Sequence, residues 1–215
     1  MHGNRASFFP IVFLLFVALI VTGVFVTSGM DAFSQSAATV IAIAKMEVGK
    51  PPDGFKFSRT GQGGPSHWIV VDDSTSFAGR VIEQSSTDRT DYRFPLAIFE
   101  PITAKNIEVS IKFKPIAGRV DQAEGIAVRV VDADNYYVVR ANALEDNVRL
   151  YRVVKGRREQ IAGVNTKVAG NTWHALDLKA RDDRFIIGFN GKTLFTTSDK
   201  TFAGSGKVAR PNPTA

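Results

Sequence analysis

Apolar and polar residues alternate along the middle of the chain. The run Ile107–Phe113 reads IEVSIKF, with an apolar residue at every second position. A period of two predicts a β-strand with one buried and one exposed face. Three further β-rich runs follow, at 126–131, 136–141 and 148–154, and Asp- and Asn-rich turns separate them. We expect these four strands to form an antiparallel meander.

The remainder of the chain is also typical of β-structure. Strands are predicted at 55–58, 67–71, 80–84, 92–99, 173–180, 184–189 and 192–197. Asn190-Gly191 is the pair that a two-residue hairpin with a type I′ turn requires. Hardly any segment shows a helical period with caps. The pattern therefore predicts an all-β fold, an antiparallel β-sandwich of the jelly-roll kind.

Composition narrows the classes of function. The chain has no cysteine, which excludes disulfides, zinc–thiolate sites and cysteine nucleophiles. The net charge is +6, but the basic residues are mixed with acidic ones along the chain. The sequence has no basic run and no nucleic-acid-binding motif. We therefore expect no nucleic acid among the partners. A diffuse positive charge favours acidic glycans or anionic lipid surfaces.

The N-terminus carries an uncharged apolar segment, Phe8–Ser28, long enough to span a bilayer. Arg5 precedes it and Asp31 follows, so the positive-inside rule places the remainder of the chain outside. Residues 1–34 are a signal peptide, cleaved after Ser34, or an uncleaved anchor that makes the membrane a partner. Residues 35–52 are interpreted as a linker. The protein is expected to be exported, whether periplasmic, extracellular or membrane-anchored.

Several stretches together carry a family resemblance: GQGGPSHWIVVD at 61–72, DQAEGIAVRVVDADNYYVVR at 121–140, DNVRLYRVVKG at 146–156 and FNGKTL at 189–194. With Thr172-Trp173-His174 and Asp199–Phe202, they resemble the concanavalin A-like, laminin-G-like jelly roll of the 3-keto-disaccharide hydrolase type. The resemblance covers about residues 50 to 208, and it implies a jelly-roll domain at 53–208. It also implies one of the group's activities, sugar binding or hydrolysis.

The resemblance stops near the C-terminus. After Gly206-Lys207-Val208, such domains continue into a Gly-Leu-Trp strand and then a final strand with acidic residues. This chain continues instead as Ala209–Ala215, with two prolines that cannot donate to a central ladder. We therefore expect residues 209–215 to be an irregular tail and the C-terminal strand to be missing.

The alternation of side chains along the predicted strands indicates which residues share a possible binding face. Aromatic rings stack on the apolar faces of sugars, and guanidinium groups donate paired hydrogen bonds to hydroxyls or carboxylates. If neighbouring strands are in register, one concave surface carries both aromatic rings and guanidinium groups. The alternative is an ordinary solvated face whose arginines pair with nearby acids. The residues of the predicted face are Arg129, Tyr136, Arg140, Arg149 and Tyr151.

Glu124 is the best single candidate for acid–base catalysis, since it stands at a strand start beside Gly125. Glycosidases need two carboxyl groups about 5 to 9.5 Å apart, and Asp121 or Asp132 is the candidate partner. The alternative is a surface carboxylate that neutralises Arg129 or Arg140.

No cofactor or resident metal is predicted. Asp132-Ala133-Asp134-Asn135 begins like a helical calcium loop but lacks its glycine and distal glutamate, so only a calcium ion between jelly-roll loops remains as an alternative. His174 is interpreted as a packed ring, and Trp68 and Trp173 as core aromatics. Three functions stay open: an exported carbohydrate-binding domain, which leads; a hydrolase of 3-keto-glycosides or related sugars; and a structural or protein-interaction domain.

Overall fold

The structure is a computed structural model, and it describes residues 38–118 and 121–212. The predicted apolar segment Phe8–Ser28 lies outside these residues. Within them, no helix is long and apolar enough to cross a membrane. They form a short 3₁₀ helix at Ile43–Lys45 and thirteen β-strands. The strands are β1 (Phe55–Gly61), β2 (Trp68–Asp72), β3 (Arg80–Gln84), β4 (Arg93–Ala104), β5 (Ile107–Phe113), β6 (Ala123–Asp132), β7 (Asn135–Asn142), β8 (Asn147–Val154), β9 (Arg157–Asn165), β10 (His174–Arg181), β11 (Arg184–Phe189), β12 (Lys192–Ser198) and β13 (Gly206–Pro211).

Three antiparallel sheets build the domain. The wide sheet has seven strands in the order β1-β4-β13-β6-β7-β8-β9, and the narrow sheet has four in the order β12-β11-β10-β5. The hairpin sheet is β2-β3. The predicted all-β antiparallel sandwich is therefore confirmed. The predicted meander is only partly right, because β6, β7 and β8 are neighbours in the wide sheet whereas β5 belongs to the narrow sheet.

The main core lies between the wide and narrow sheets. Tyr137, Val139 and Leu150 of the wide sheet pack with Leu176 and Phe185 of the narrow sheet, all fully buried. We call this side of the wide sheet its inner face. The hairpin sheet covers the same side near β1 and β4, where Trp68 and Ile82 pack on Ala97. Trp68 is thus a core residue, as predicted.

Both ends of the domain differ from the sequence-based expectation. Residues 209–211 are not an irregular tail, because they belong to β13, which lies inside the wide sheet between β4 and β6. Pro211 is the last residue of the strand and lies opposite Leu96, so its missing donor falls at a strand end. At the other end, part of the predicted linker packs on the domain: Met46 is buried, and the Val70 amide donates to the Lys50 carbonyl.

Candidate functional site

A groove separates the hairpin sheet from the narrow sheet. Its volume is about 790 Å³, within the range of ligand pockets, about 300–1,000 Å³. One wall is the edge of β3 with which no described strand pairs, and the other is the end of β5 with the loop that follows it. We call it the central groove. It is lined by residues 73, 75–78, 80–87 and 89, residues 112–118, the floor residues Ala123, Glu124, Arg210 and Asn212, and by Ile43 and Trp173.

The floor of the central groove is held by an ion pair. Arg210 donates to a carboxylate oxygen of Glu124 at 2.7 Å, and the Asn212 amide donates to the same oxygen at 3.1 Å. The Arg210 guanidinium also donates to the Ile82 carbonyl of β3 at 2.6 Å and lies over the Trp68 ring. Glu124 is 3% exposed, and the guanidinium of Arg210 is the cation that balances its charge. The floor therefore ties β6, β13 and the hairpin sheet together.

One rim of the central groove carries Trp173 on a network of polar contacts. Trp173 is half-buried, and its indole Nε1 donates to the Thr75 hydroxyl at 3.1 Å. The Lys114 ammonium lies 5.1 Å from the centre of the indole ring and donates to Asp73 at 2.7 Å. Hydrogen bonds from Lys114 and then from Thr75 lower the pKa of Asp73 to about 2. Trp173 was predicted to be a core aromatic; instead it lies at the rim.

The same groove has an exposed aromatic ring. Phe77 is 97% exposed at the turn between β2 and β3. The Lys112 ammonium of β5 lies 4.5 Å from the centre of this ring, within the range of a cation–π contact. The central groove thus combines accessible aromatic surface with guanidinium, ammonium, carboxylate and hydroxyl groups.

Arg129 does not lie on the predicted binding face. It has a positive φ of 51° where the register of β6 with β7 shifts, so it leaves the strand alternation. The side chain is 1% exposed and packs over Tyr137 and Phe185. Its guanidinium donates to three backbone carbonyls, those of Lys105, Phe202 and Asp182. Arg129 is therefore an internal cross-link between elements.

The other four residues of the predicted face do share one side of the wide sheet. Val138 lies opposite Tyr151, and Arg140 lies opposite Arg149, so Tyr136, Arg140, Arg149 and Tyr151 point away from the inner face. We call this side the outer face.

Most of this outer face is occupied by contacts within the protein. Tyr136 is 1% exposed and shares a hydrogen bond with Thr60, and burial raises the pKa of Tyr136 to about 12. Arg140 is 4% exposed and pairs with Asp121 at 2.9 Å and Glu145 at 2.6 Å. Arg149 alone among the four is not fully buried, and it donates to Asn165. The outer face thus offers little accessible surface to a sugar.

Glu124 and its two predicted carboxylate partners, Asp121 and Asp132, are each held by different groups. Glu124 lies opposite Ala141 and so faces inward, whereas Asp121 pairs with Arg140 on the outer face. Burial raises the pKa of Asp121, partly offset by Arg140. Asp132 accepts hydrogen bonds from its own turn, from the Asp134 amide and the Asn135 side chain.

The described residues contain no group of three or more His, Asp or Glu side chains that could hold a metal ion. His174 is a packed ring, as predicted: it is buried, lies against Phe113 and Phe189, and bonds the Ala169 carbonyl and the Asn190 amide.

Sequence reasoning missed three residues of the central groove. Arg210 stands in the segment expected to be irregular, and Phe77 stands in a polar turn, where an isolated phenylalanine is the one signal of an exposed role. Trp173 follows Asn171-Thr172 and precedes a strand, a position that fits a rim as well as a core.

No protein-family model matches the sequence, and no curated protein is similar to it in sequence. Solved structures do match the fold. The carbohydrate-binding module CBM66 from Bacillus subtilis superposes with a TM-score of 0.55 at 19% identity, over 74% of this chain and 89% of that one. A β-glucanase from Bacillus licheniformis gives 0.46 at 10% identity, over 76% and 81%. Sheep galectin-11 gives 0.42 at 10% identity, over 54% and 87%.

The chain therefore has the concanavalin A-like jelly-roll fold, an all-β antiparallel sandwich. Its similarity to the carbohydrate-binding module is a similarity of fold.

Proposed function

We propose that this protein binds carbohydrate and that the ligand occupies the central groove. One observation carries the proposal: the groove brings the exposed Phe77 and the half-buried Trp173 beside charged and hydroxyl side chains. Aromatic rings cover the apolar faces of sugars, and the polar groups exchange hydrogen bonds with their hydroxyls. The shared fold with a carbohydrate-binding module supports the same class of ligand.

The central groove is a better candidate than the outer face first nominated from the sequence. Arg140 and Tyr151 on the outer face are almost fully buried, and Arg140 is already paired with two carboxylates. Recognition there would require breaking these ion pairs. Phe77, in contrast, makes most of its surface available without any rearrangement.

The hydrolase of the 3-keto-disaccharide type is the second candidate, and the position of Glu124 in the groove floor favours it. Against it, Glu124 accepts hydrogen bonds from Arg210 and Asn212, while Asp121 pairs with Arg140 and Asp132 accepts from its own turn. Replacing Glu124 by Gln separates the two functions: an enzyme loses turnover by about 10²–10⁴-fold, whereas a folded binding module keeps its ligand.

The test of the lead proposal is a glycan array probed with the full chain, followed by calorimetry on any ligand found. We expect Phe77→Ala and Trp173→Ala each to weaken binding about tenfold, which corresponds to about 1.4 kcal/mol. Leu144→Ala is the matched control, because Leu144 is exposed and does not line the groove. Binding that survives both aromatic substitutions, or that responds to Arg149→Ala instead, would place the ligand elsewhere.

We also propose that the protein is exported, on the basis of the apolar segment Phe8–Ser28. Fractionation of cells that express the full chain tests this proposal. Recovery of the chain in the cytoplasmic fraction, with its N-terminus intact, would refute it.

A further inference from the structure

Within residues 38–118 and 121–212, strand β5 pairs with a neighbour along one edge only, and its apolar residues are half covered. In the narrow sheet β5 pairs with β10 alone, from Phe113 opposite His174 to Ile107 opposite Ala180. Ile107, Val109 and Ile111 face the core but are only partly buried. The residues beside them on β10, Leu176, Leu178 and Ala180, are 0% exposed. In the part of the chain that the structure describes, no strand lies beside the apolar row of β5 on its other side.

This edge lacks two of the devices that protect edge strands, a bulge and an inward-pointing charge, although its exposed side does carry charged residues. Bulges and inward-pointing charges discourage further pairing. The register shifts within the β8–β9 pair and within the β11–β12 pair, so the edge strands β9 and β12 are both irregular. The β5–β10 register has no shift, and the inward residues of β5 are all apolar.

The exposed side of β5 carries a pattern of charges that a partner strand can complement. Glu108 pairs with Lys179 of β10 at 2.7 Å, and both side chains are about half exposed. Lys112 is exposed and lies over Phe77. Ser110 stands midway between them. An antiparallel neighbour centred on Ser110 would be most favourable with a basic residue opposite Glu108 and an acidic residue opposite Lys112, because directly opposite charges stabilise a sheet.

We infer that the β5 edge binds an extended segment of a partner polypeptide, which adds to the narrow sheet as a fifth strand. The segment carries aliphatic residues at alternate positions, to cover Ile107, Val109 and Ile111, and an acidic and a basic residue placed as the charges of β5 require. Strand addition of this kind gains its affinity from main-chain hydrogen bonds and its specificity from alternate side chains. The competing occupant is a second copy of this chain, and self-association of the full chain through residues 107–113 would overturn the inference.

The inference does not rest on carbohydrate binding. Residues 107–111 do not line the central groove, and the two sites meet at Lys112.

The β5 sequence itself supplies a probe. Paired antiparallel about its central serine, IEVSIKF places its own lysine opposite Glu108 and its own glutamate opposite Lys112. We would measure binding of a fluorescent peptide, NIEVSIKFK, to the full chain by anisotropy. In the second peptide, the glutamate and the lysine at the second and sixth positions of IEVSIKF are exchanged. The second protein is the double variant Glu108→Lys, Lys112→Glu. A third peptide carries proline in place of the serine and cannot complete the ladder.

We expect each matched pair, native with native and exchanged with exchanged, to bind about tenfold tighter than the mismatched pairs. The proline peptide should bind neither protein. Hydrogen exchange should show new protection at 107–113 on peptide binding and none at the β12 edge, Lys192–Ser198. Equal affinity for all four combinations, a reversed preference, or the absence of binding at millimolar peptide would overturn the inference.

Discussion

The guanidinium of Arg210 lies 2.7 Å from the carboxylate of Glu124, and this contact joins β13 to β6 on the inner face of the wide sheet. Between these two strands the register is irregular, with Lys207 opposite Val130 and Ala209 opposite Ala127. The ion pair therefore adds a side-chain link where the backbone ladder is interrupted. It also forms the floor of the central groove, so the same contact serves the fold and the candidate site.

Removing one partner of this pair should be costly. We expect Arg210→Ala to lower the free energy of unfolding by about 3 kcal/mol, because it leaves the Glu124 carboxylate buried without its cation. Urea denaturation measures the effect. Lys179→Ala provides the comparison, since its ion pair with Glu108 is exposed and contributes less than about 1 kcal/mol. An Arg210→Ala change as small as that of Lys179→Ala would show that the floor is solvated.

Arg129 should behave as a structural residue. We expect Arg129→Lys to destabilise the protein by about 2 kcal/mol, because one ammonium cannot reproduce the three carbonyl contacts of the buried guanidinium. Thermal unfolding checks this. Arg149→Lys on the outer face is the control and should change little. If Arg129→Lys unfolds like the unmodified protein but loses carbohydrate binding, the face predicted from the sequence would have to be reinstated.

The Trp173 rim should loosen only in strong acid. The pKa of Asp73 is about 2 in the folded protein, against a usual value of 3.8. A lowered folded-state pKa stabilises the protein above the unfolded value, and this contribution is lost as the pH falls from about 4 through 2. We expect the indole N–H resonance of Trp173 to shift with a midpoint near pH 2, because Thr75 binds both groups. In Asp73→Asn this step should disappear; a midpoint near 4 would mean that Lys114 does not hold the carboxylate.

Local pattern was enough for most of the strands. The ranges Arg80–Gln84, Ile107–Phe113 and Arg184–Phe189 agree with the predicted ones. The Asn190-Gly191 turn has φ values of 50° and 77°, as a type I′ turn requires. Two strands were missed. Arg157–Asn165 has weak alternation, and Gly206–Pro211 ends in a proline that argued against a central position.

The contacts of the candidate site were much harder to predict from the sequence than the strands were. Glu124 was singled out for acid–base catalysis, which stays a prediction. Its place in the groove floor was not predicted, and its partners Arg210 and Asn212 are 86 and 88 residues away along the chain. Contacts at such separation depend on which strands become neighbours. Nothing local in the sequence specifies that order.

Taken by itself, the sequence determined the period of two, the turns and hence the antiparallel β-sandwich, because side-chain alternation and turn geometry depend on adjacent residues. Only the tertiary structure decided that β5 leaves the meander for the narrow sheet and that Arg129 turns inward at a register shift. It also decided that β13 lies inside the wide sheet, between β4 and β6, beside the central groove. These features arise from long-range packing, where one shifted residue exchanges the buried and exposed faces of a strand.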